Sequence, residues 1–508
     1  MVIAFFYTFF SLIICYSRFN EAAENNKTSK FCELQKLIAK RPPKQKNQKQ
    51  LIEVYSGNRC KLDRNFLSFS IDAIEVMRRF RCFPLRSAKI NVLASGLSPA
   101  FLRIGGTPQD FLTFLVKANE STDIKTSCTP KFENWRKLKP FKLSSQYFEE
   151  IGVFAKENHL ELIFGLNALK RYSNMSWDNN NAVEIMKFMK GKNLTTIWTL
   201  GNEPNRFKKY GTKVSISPRQ LAADFLKLRL ISTHKIYGPD ISHPTCNSLK
   251  YLKNFLRNKP LLDALTYHHY SMHQNLSTIE MFLNPFYLDK FHEENGWIRS
   301  LITSEKMNVD LWLGETGSAS GGGAQNLSDT FASGFLYLGK LGTAAADCHK
   351  VVIRQTLYGG YYGMLDPITH DPLPDYWSSL LYKKLVGQVL LSHQSLKNGY
   401  LRIFTYCARN SSTQVVIMAI NFNVDNDAIL QVKMFGYSLV EKFILTAPNK
   451  NLQSKVVLLN GEQLKLKSDG SLPSLNGTFD RQPFSLPPQS YGFFVLQNAE
   501  LDDCKDTI

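Results

Sequence analysis

Acidic residues are in short supply: 43 Asp+Glu face 62 Lys+Arg, a formal net charge of +19. Beyond one apolar run at the N-terminus, no stretch approaches the roughly 20 apolar residues of a membrane span. No CxxC pair and no His/Cys spacing marks a metal site, so neither a metal nor another cofactor is expected. The glycine run Gly321–Gly323 lacks the Lys-Ser/Thr that a phosphate loop requires. Internal repeats and heptads are missing, and no nucleic-acid-binding motif accompanies the basic charge. That charge either serves solubility alone or concentrates a polyanion such as a sulfated glycan.

What is present points to the secretory route. Val2–Cys15 is an apolar run suited to a signal-peptide core, and polar residues follow at once, with small residues at Ala22–Ala23. Residues 1–23 therefore read as a signal peptide, with an uncleaved anchor as the alternative because the start carries no clear positive charge. Asn-x-Ser/Thr acceptors stand at Asn26, Asn119, Asn174, Asn193, Asn275, Asn326, Asn410 and Asn476. Eight cysteines lie beyond the signal segment, an even set compatible with disulfides in an oxidising compartment. A secreted, extracellular or lysosomal monomer is expected.

Residues 24–64 form a basic entry segment, broken by Pro42–Pro43, in which Leu51–Tyr55 can join a later sheet as a strand. Across residues 65–388 eight short apolar runs recur: Phe66–Ile71, Ala100–Ile104, Leu160–Gly165, Thr195–Leu200, Lys235–Gly238, Ala264–His268, Val309–Leu313 and Val351–Gln355. Helical patterns such as Gln220–His234 and Leu327–Leu341 intervene. Buried parallel strands read this way, and eight βα units argue for a closed (β/α)8 barrel, an α/β fold of TIM-barrel type. Residues 116–135 form a short linker. Over 389–508 short strands alternate with turns, with a hairpin signal at Asn460–Gly461; these predict an accessory antiparallel β-sandwich.

Two glutamates stand out by position. Glu203 follows the fourth run directly, in Leu200-Gly201-Asn202-Glu203-Pro204-Asn205, and Glu315 follows the seventh, in Leu313-Gly314-Glu315-Thr316. Active sites of such barrels gather at the C-terminal strand ends, so both carboxylates should enter one cleft. Retaining glycosidases need two carboxyl groups about 5–5.5 Å apart, one as nucleophile and one as acid/base. Pro204 predicts an extended Glu203, and the acid role predicts a raised pKa there.

The segment Gly201-Asn202-Glu203-Pro204-Asn205 resembles the acid/base motif of glycosidases that carry their carboxylates on barrel strands 4 and 7. Longer runs, including GLSPAFLRIGGTPQDF (96–111), LELIFGLNALKR (160–171), LGETGSASGGGA (313–324), LSDTFASGF (327–335) and DPLPDYW (371–377), resemble glycoside hydrolase family 79. This is the heparanase family of endo-β-glucuronidases that cut heparan sulfate. The likeness runs from about Ser68 to the C-terminus. It implies Glu203 as acid/base, Glu315 as nucleophile, Asn202 on the sugar 2-hydroxyl and Tyr270 orienting Glu315. It further implies that Asp72, Thr107, His268, Gln355, Gly360 and Tyr362 line the cleft, with amides of Gly321 and Gly322 meeting a substrate carboxylate. Arg103 is expected as a buried charge partner near Glu315. Cys407 and Cys504 match the family's disulfide pair. The implied partners are heparan sulfate and its proteoglycans, with membranes reached only through them.

Three departures qualify the match. Gly238-Pro239-Asp240 runs into His243-Pro244-Thr245-Cys246 without the arginine pair of the family, and a further arginine is replaced around Asn275. Arginine reads sulfate and carboxylate bidentately, so the sulfation preference is open. A cationic stretch, Arg136, Lys137, Lys139 and Lys142, remains for a polyanion. The stretch excised from the family's proenzyme is shorter here, Val116–Trp135, and the place of the expected partner of Cys128 is taken near Glu157. The expected activity is thus retaining endo-β-glucuronidase on heparan sulfate. The alternatives are another uronate glycan, attacked internally or from chain ends, or a non-catalytic heparan sulfate-binding protein.

Overall fold

The computed structural model describes residues 50–117, 128, 138–395, 399–433 and 438–507. The signal segment, the basic stretch up to residue 49, Asn26, Asn119 and Lys137 lie outside the described residues.

Barrel strands 1 to 8 are Leu67–Asp72, Ala100–Gly105, Leu160–Leu166, Thr196–Leu200, Tyr237–Ile241, Ala264–His273, Asp310–Ser320 and Val351–Arg354. Neighbours pair in parallel, strand 8 returns to strand 1, and a single bridge from Trp198 to Ile236 closes the ring between strands 4 and 5. Each apolar run of the sequence is one of these strands. They read as continuous apolar segments because helices cover their outer face while side chains fill the inside. The helices include Ser145–Glu157, Asn180–Gly191, Pro218–Ile231, Cys246–Arg257, Phe286–Ser304 and Ser333–Ala346. The last starts later than the expected Leu327, because the amides of Phe331 and Ala332 are drawn to the carbonyls of Ser454 and Leu452 in the accessory domain. Inside the barrel, Phe101, Ile163, Ile197, Tyr237, Trp312 and Val351 pack into a floor, with the Tyr237 and Trp312 rings 4.1 Å apart.

The accessory domain is one curled eleven-stranded sheet. Its strand Val386–Ser395 begins directly after the helix Pro374–Leu385, so it straddles the boundary expected at 388. The sheet is antiparallel as expected, with one short parallel pairing among the described residues: Gln50–Lys61 runs antiparallel to Val386–Ser395 but parallel to Ala428–Val432. A strand inserted between two antiparallel neighbours must run parallel to one of them. Asn460 and Gly461, both at positive φ, form the two-residue turn between Leu458–Leu459 and Glu462–Gln463.

Alternation along Val415–Asn421 joins the two domains. Val415, Ile417 and Ala419 face the sandwich interior, whereas Val416, Met418 and Ile420 join the barrel-side core. The helix Ser333–Ala346 lies against this face, and a β-carbon on Gly342 would sit 2.2 Å from the Phe404 ring. Disulfides join Cys60 to Cys348, Cys82 to Cys128 and Cys407 to Cys504. Cys128 therefore has a partner after all: the chain folds the segment between the helices Ala73–Met77 and Ala88–Gly96, which holds Cys82, beside it. Asn174, Asn193, Asn275, Asn326, Asn410 and Asn476 are all exposed. Among the described residues, no helix is long and apolar enough to cross a membrane.

Because Gly342 leaves no room for a side chain, Gly342→Leu should destabilise the protein by about 1–3 kcal/mol. The check is the urea midpoint, which should fall below that of the wild type.

Candidate active site

Above the floor, side chains of alternate strand residues turn inward. On strand 2, Arg103 is the next inward position after Phe101, and Gly105 leaves space for its guanidinium: a β-carbon there would lie 2.6 Å from Arg103 Cζ. On strand 6, Thr266, His268 and Tyr270 follow Ala264 in the same way, while Tyr267 and His269 face outward toward the helices.

Strand 7 departs from this rule where the chemistry requires it. Trp312 faces in, so simple alternation would send Glu315 outward. The register slips between Leu313 and Glu315: Leu313 opposes Tyr267, and Glu315 opposes His268. Gly314 is the extra residue of this bulge, where a β-carbon would meet Asp240 Oδ1 at 2.9 Å and Thr266 Cβ at 3.0 Å. Bulges re-aim side chains in this manner. Glu315 thus lies within the strand, which continues to Ser320, and not directly after its end as the sequence suggested.

Glu203 stands just beyond strand 4 at φ 47° and ψ 55°, the left-handed region. The extended conformation expected from Pro204 is overturned. Its amide donates to the Asp240 carbonyl at 3.0 Å, and its own carbonyl accepts from Arg206 at 2.7 Å as a 3-10 turn opens at Pro204. Both ends of the residue are therefore held, which is how a non-glycine residue is kept at positive φ.

One guanidinium organises the cleft. Arg103 Nη1 donates to Glu315 Oε2 at 2.8 Å, and Nη2 donates to Asn202 Oδ1 at 2.9 Å and Asp240 Oδ2 at 3.2 Å. Tyr270 donates its hydroxyl to Glu315 Oε1 at 2.6 Å. His268 Nδ1 lies 3.2 Å from Glu203 Oε1 and 3.8 Å from Glu315 Oε1, and its Nε2 faces Asp240 at 3.7 Å. Tyr210 donates to Glu203 Oε2, with Arg206 at 3.5 Å from the same oxygen. The Asn202 amide donates to Asp110 Oδ2, and the Ala168 amide to Asp110 Oδ1, which fixes the loops after strands 3 and 4 to the turn after strand 2.

These contacts set the protonation states. Burial opposes charge on His268, but Glu315, Asp240 and Glu203 around it raise its pKa to about 9. Burial also pushes Glu203 up; the hydrogen bond and charge of His268, then Arg206 and Tyr210, outweigh it and hold Glu203 at about 2. The raised value expected for Glu203 is therefore corrected: the proton resides on the neighbouring imidazole. Asp240 is held below the usual carboxylate range, against the effect of burial, chiefly by Arg103.

A second cluster flanks the first. Gln355 Nε2 donates to Asp72 Oδ2 at 2.7 Å, and Ser70 donates to Gln355 Oε1. Burial raises Asp72 to about 7. The Tyr362 ring stands 6.3 Å from that of Tyr270. Gly321 and Gly322, at positive φ, form the turn after strand 7; the Gly322 carbonyl accepts from Tyr361, and a β-carbon on Gly360 would meet it at 2.7 Å. Thr107 opens the 3-10 turn beyond Gly106, where a β-carbon would lie 3.1 Å from the Asp72 carboxylate. Lys139 is exposed ahead of the edge strand Phe141–Ser144 and takes no part in these clusters. Sequence reasoning passed over Asp110, Asp240, Tyr210 and Arg206 as site residues. Asp240 carried a usable signal, since it ends the Gly-Pro-Asp at the exit of strand 5.

A barrel that brings two carboxylates from strands 4 and 7 into one charge-compensated cleft defines a glycoside hydrolase. Residues 84–342 match the N-terminal domain of glycosyl hydrolase family 79. Heparanase from Bos taurus is 36% identical over 490 residues, covering 86% of this chain and 89% of that protein. Hyaluronoglucuronidase from Hirudo nipponia is 32% identical over 455 residues, covering 83% of this chain and 91% of that protein. The chain belongs to glycosyl hydrolase family 79. The solved 4-O-α-L-rhamnosyl-β-D-glucuronidase from Fusarium oxysporum 12S shares the fold, with a TM-score of 0.66 at 14% identity, covering 88% of this chain and all of that one.

The His268–Glu203 pair has a pH signature. His268, raised above its ordinary 6.5, stabilises the fold fully below that value and loses this contribution as pH rises through about 9. Glu203, lowered from 4.5, contributes above that value and loses it as pH falls toward about 2. His268→Gln should therefore lower the melting temperature most between pH 4.5 and 6.5. Melting curves from pH 4 to about 9.5 check this; a deficit that does not change with pH contradicts the assignment.

Proposed function

We propose that the chain is a retaining endo-β-glucuronidase that cleaves heparan sulfate by double displacement, with Glu315 as nucleophile and Glu203 as acid/base. The observation that carries this reading is the single imidazole nitrogen of His268 within 3.8 Å of both carboxylates. The nearest oxygens of the two glutamates, at 3.2 and 3.8 Å from that one atom, border the same cleft, as a pair in which one carboxylate attacks and the other serves as acid/base must.

The roles follow from the surroundings. Glu315 takes hydrogen bonds on both oxygens, from Arg103 and Tyr270, which fix its orientation toward the anomeric carbon. Glu203 faces the leaving oxygen and draws its proton from the pair it forms with His268. The charge of Glu315 is the foremost influence raising the pKa of His268. As Glu315 forms its bond to the sugar, that charge is consumed, His268 becomes more acidic, and its proton moves to Glu203 while Glu203 protonates the departing chain. In the second half, Glu203 takes a proton from water, the water attacks the glycosyl ester, and Glu315 is released. Asn202 would hold the 2-hydroxyl, and Tyr362, Gly321, Gly322 and Gly360 would meet the uronate carboxylate. The exposed Lys139 with Lys142 would attract the polymer at longer range. The exposed sequon asparagines agree with a glycoprotein that is secreted or lysosomal.

One observation favours a second substrate. The rim after strand 5 carries His243-Pro244-Thr245 where sulfate-reading arginines were expected, and a relative of comparable coverage is a hyaluronoglucuronidase. Another uronate glycan is then the substrate of the same machinery.

The test compares fluorescent heparan sulfate and hyaluronan, each incubated at mildly acidic pH with wild type or Glu315→Gln, by chain length. Rapid shortening of heparan sulfate, lost by at least about 10³-fold in the variant, is expected. Shortening of hyaluronan alone assigns the second substrate. Tight binding of heparan sulfate with no cutting of either polymer overturns the enzymatic reading in favour of a binding protein.

A further inference from the structure

Outside the cleft, on the outer side of strand 6, the protein builds a second polar cluster that the proposed chemistry does not use. His269 follows His268 but faces the helices, where its Nε2 lies 2.8 Å from Glu294 Oε2. Glu294 belongs to the helix Phe286–Ser304 and is fully buried. His243, in the turn after strand 5, places Nε2 at 3.3 Å from Glu294 Oε1. One nitrogen or oxygen from each of the three side chains falls within 4.8 Å of the others.

The cluster is incompletely satisfied. Glu294 Oε1, His269 Nδ1 and His243 Nδ1 are buried atoms that make no hydrogen bond. A carboxylate oxygen out of contact with water is costly unless a cation or donor meets it. Lys290 Nζ stands 3.7 Å from Oε1, on a side chain one-third exposed, so it can withdraw into solvent. The buried Lys340 approaches from the strand 7 side, where it donates to the carbonyls of His269 and Gly317 and not to Glu294.

We propose that His243, His269 and Glu294 form a zinc-binding site, with water completing the coordination. Two imidazoles and one carboxylate are a donor set that suits Zn2+ and discriminates against Mg2+ and Ca2+, which prefer all-oxygen sites. Bond lengths of about 2.0–2.1 Å put tetrahedral ligands about 3.3 Å apart; the two imidazoles stand 2.8 and 3.3 Å from Glu294, and the set as a whole, within 4.8 Å, must draw together on an ion. His243 is partly exposed and forms the open side through which the ion and a water enter. Bound zinc ties the turn after strand 5 to strand 6 and to the helix Phe286–Ser304. That turn begins two residues beyond Asp240, which faces both Arg103 and His268, so the ion would brace the rim of the cleft from behind.

The test uses the full-length protein, wild type beside His243→Ala and Glu294→Gln, equilibrated with zinc alone and then dialysed into metal-free buffer. Metal content by plasma mass spectrometry should be one zinc per wild-type chain and near zero in both variants. Added zinc should raise the melting temperature of the wild type by several degrees, chelator should reverse it, and His243→Ala should not respond. His243→Ala keeps the test valid if Glu294→Gln fails to fold, because His243 is partly exposed in a turn whereas Glu294 is fully buried. Retention of no zinc by a folded wild type, or equal retention by wild type and His243→Ala, overturns the proposal.

Discussion

Arg103 is a full positive charge held at 1% exposure inside a barrel, and the arrangement of the cleft depends on how that charge is met. Its hydrogen bonds reach Glu315 on strand 7, Asn202 beyond strand 4 and Asp240 at strand 5, so one planar group spans the ring. Removing one partner from such a buried network leaves charge uncompensated, at a cost of about 3–5 kcal/mol. The glycines around it make the geometry possible. Gly105 leaves the guanidinium its space, and Gly314 supplies the bulge that turns Glu315 toward it.

With the guanidinium in place, the remaining charges fall into order. Asp240 and both glutamates surround His268, which holds a proton at pH values where a free imidazole would have lost it. In the proposed mechanism this proton, held beside Glu203 by the charge of Glu315, is the one delivered to the leaving group. Bond formation at Glu315 would remove that hold, so attack and proton delivery would be coupled through electrostatics.

The barrel was legible because its strands are buried on both faces and punctuated by turns, so eight apolar runs translate into eight strands. Glu203 and Glu315 were legible because each follows a run whose C-terminal end must face the cleft. The conformation of Glu203 was not: Pro204 disfavours a helical residue before it, but the choice between extended and left-handed was made by the Asp240 carbonyl, 37 positions away in sequence and a neighbour only in the folded barrel. The protonation of Glu203 was missed for the same reason, since it belongs to a cluster drawn from four strands. Cys82 and Cys128 likewise are adjacent only after folding. The cluster of His243, His269 and Glu294 has no linear motif at all, because its members come from a turn, a strand and a helix.

The central claim is that Glu315 carries the glycosyl group between two displacements. Mass spectrometry of the protein after incubation with a 2-fluoro-glucuronide bearing a good leaving group tests it most directly, because the fluorine slows release of the intermediate. The account predicts a single covalent adduct on the peptide containing Glu315, absent in Glu315→Gln. An adduct on another residue, or polymer cleavage by an enzyme that never becomes labelled, would contradict it.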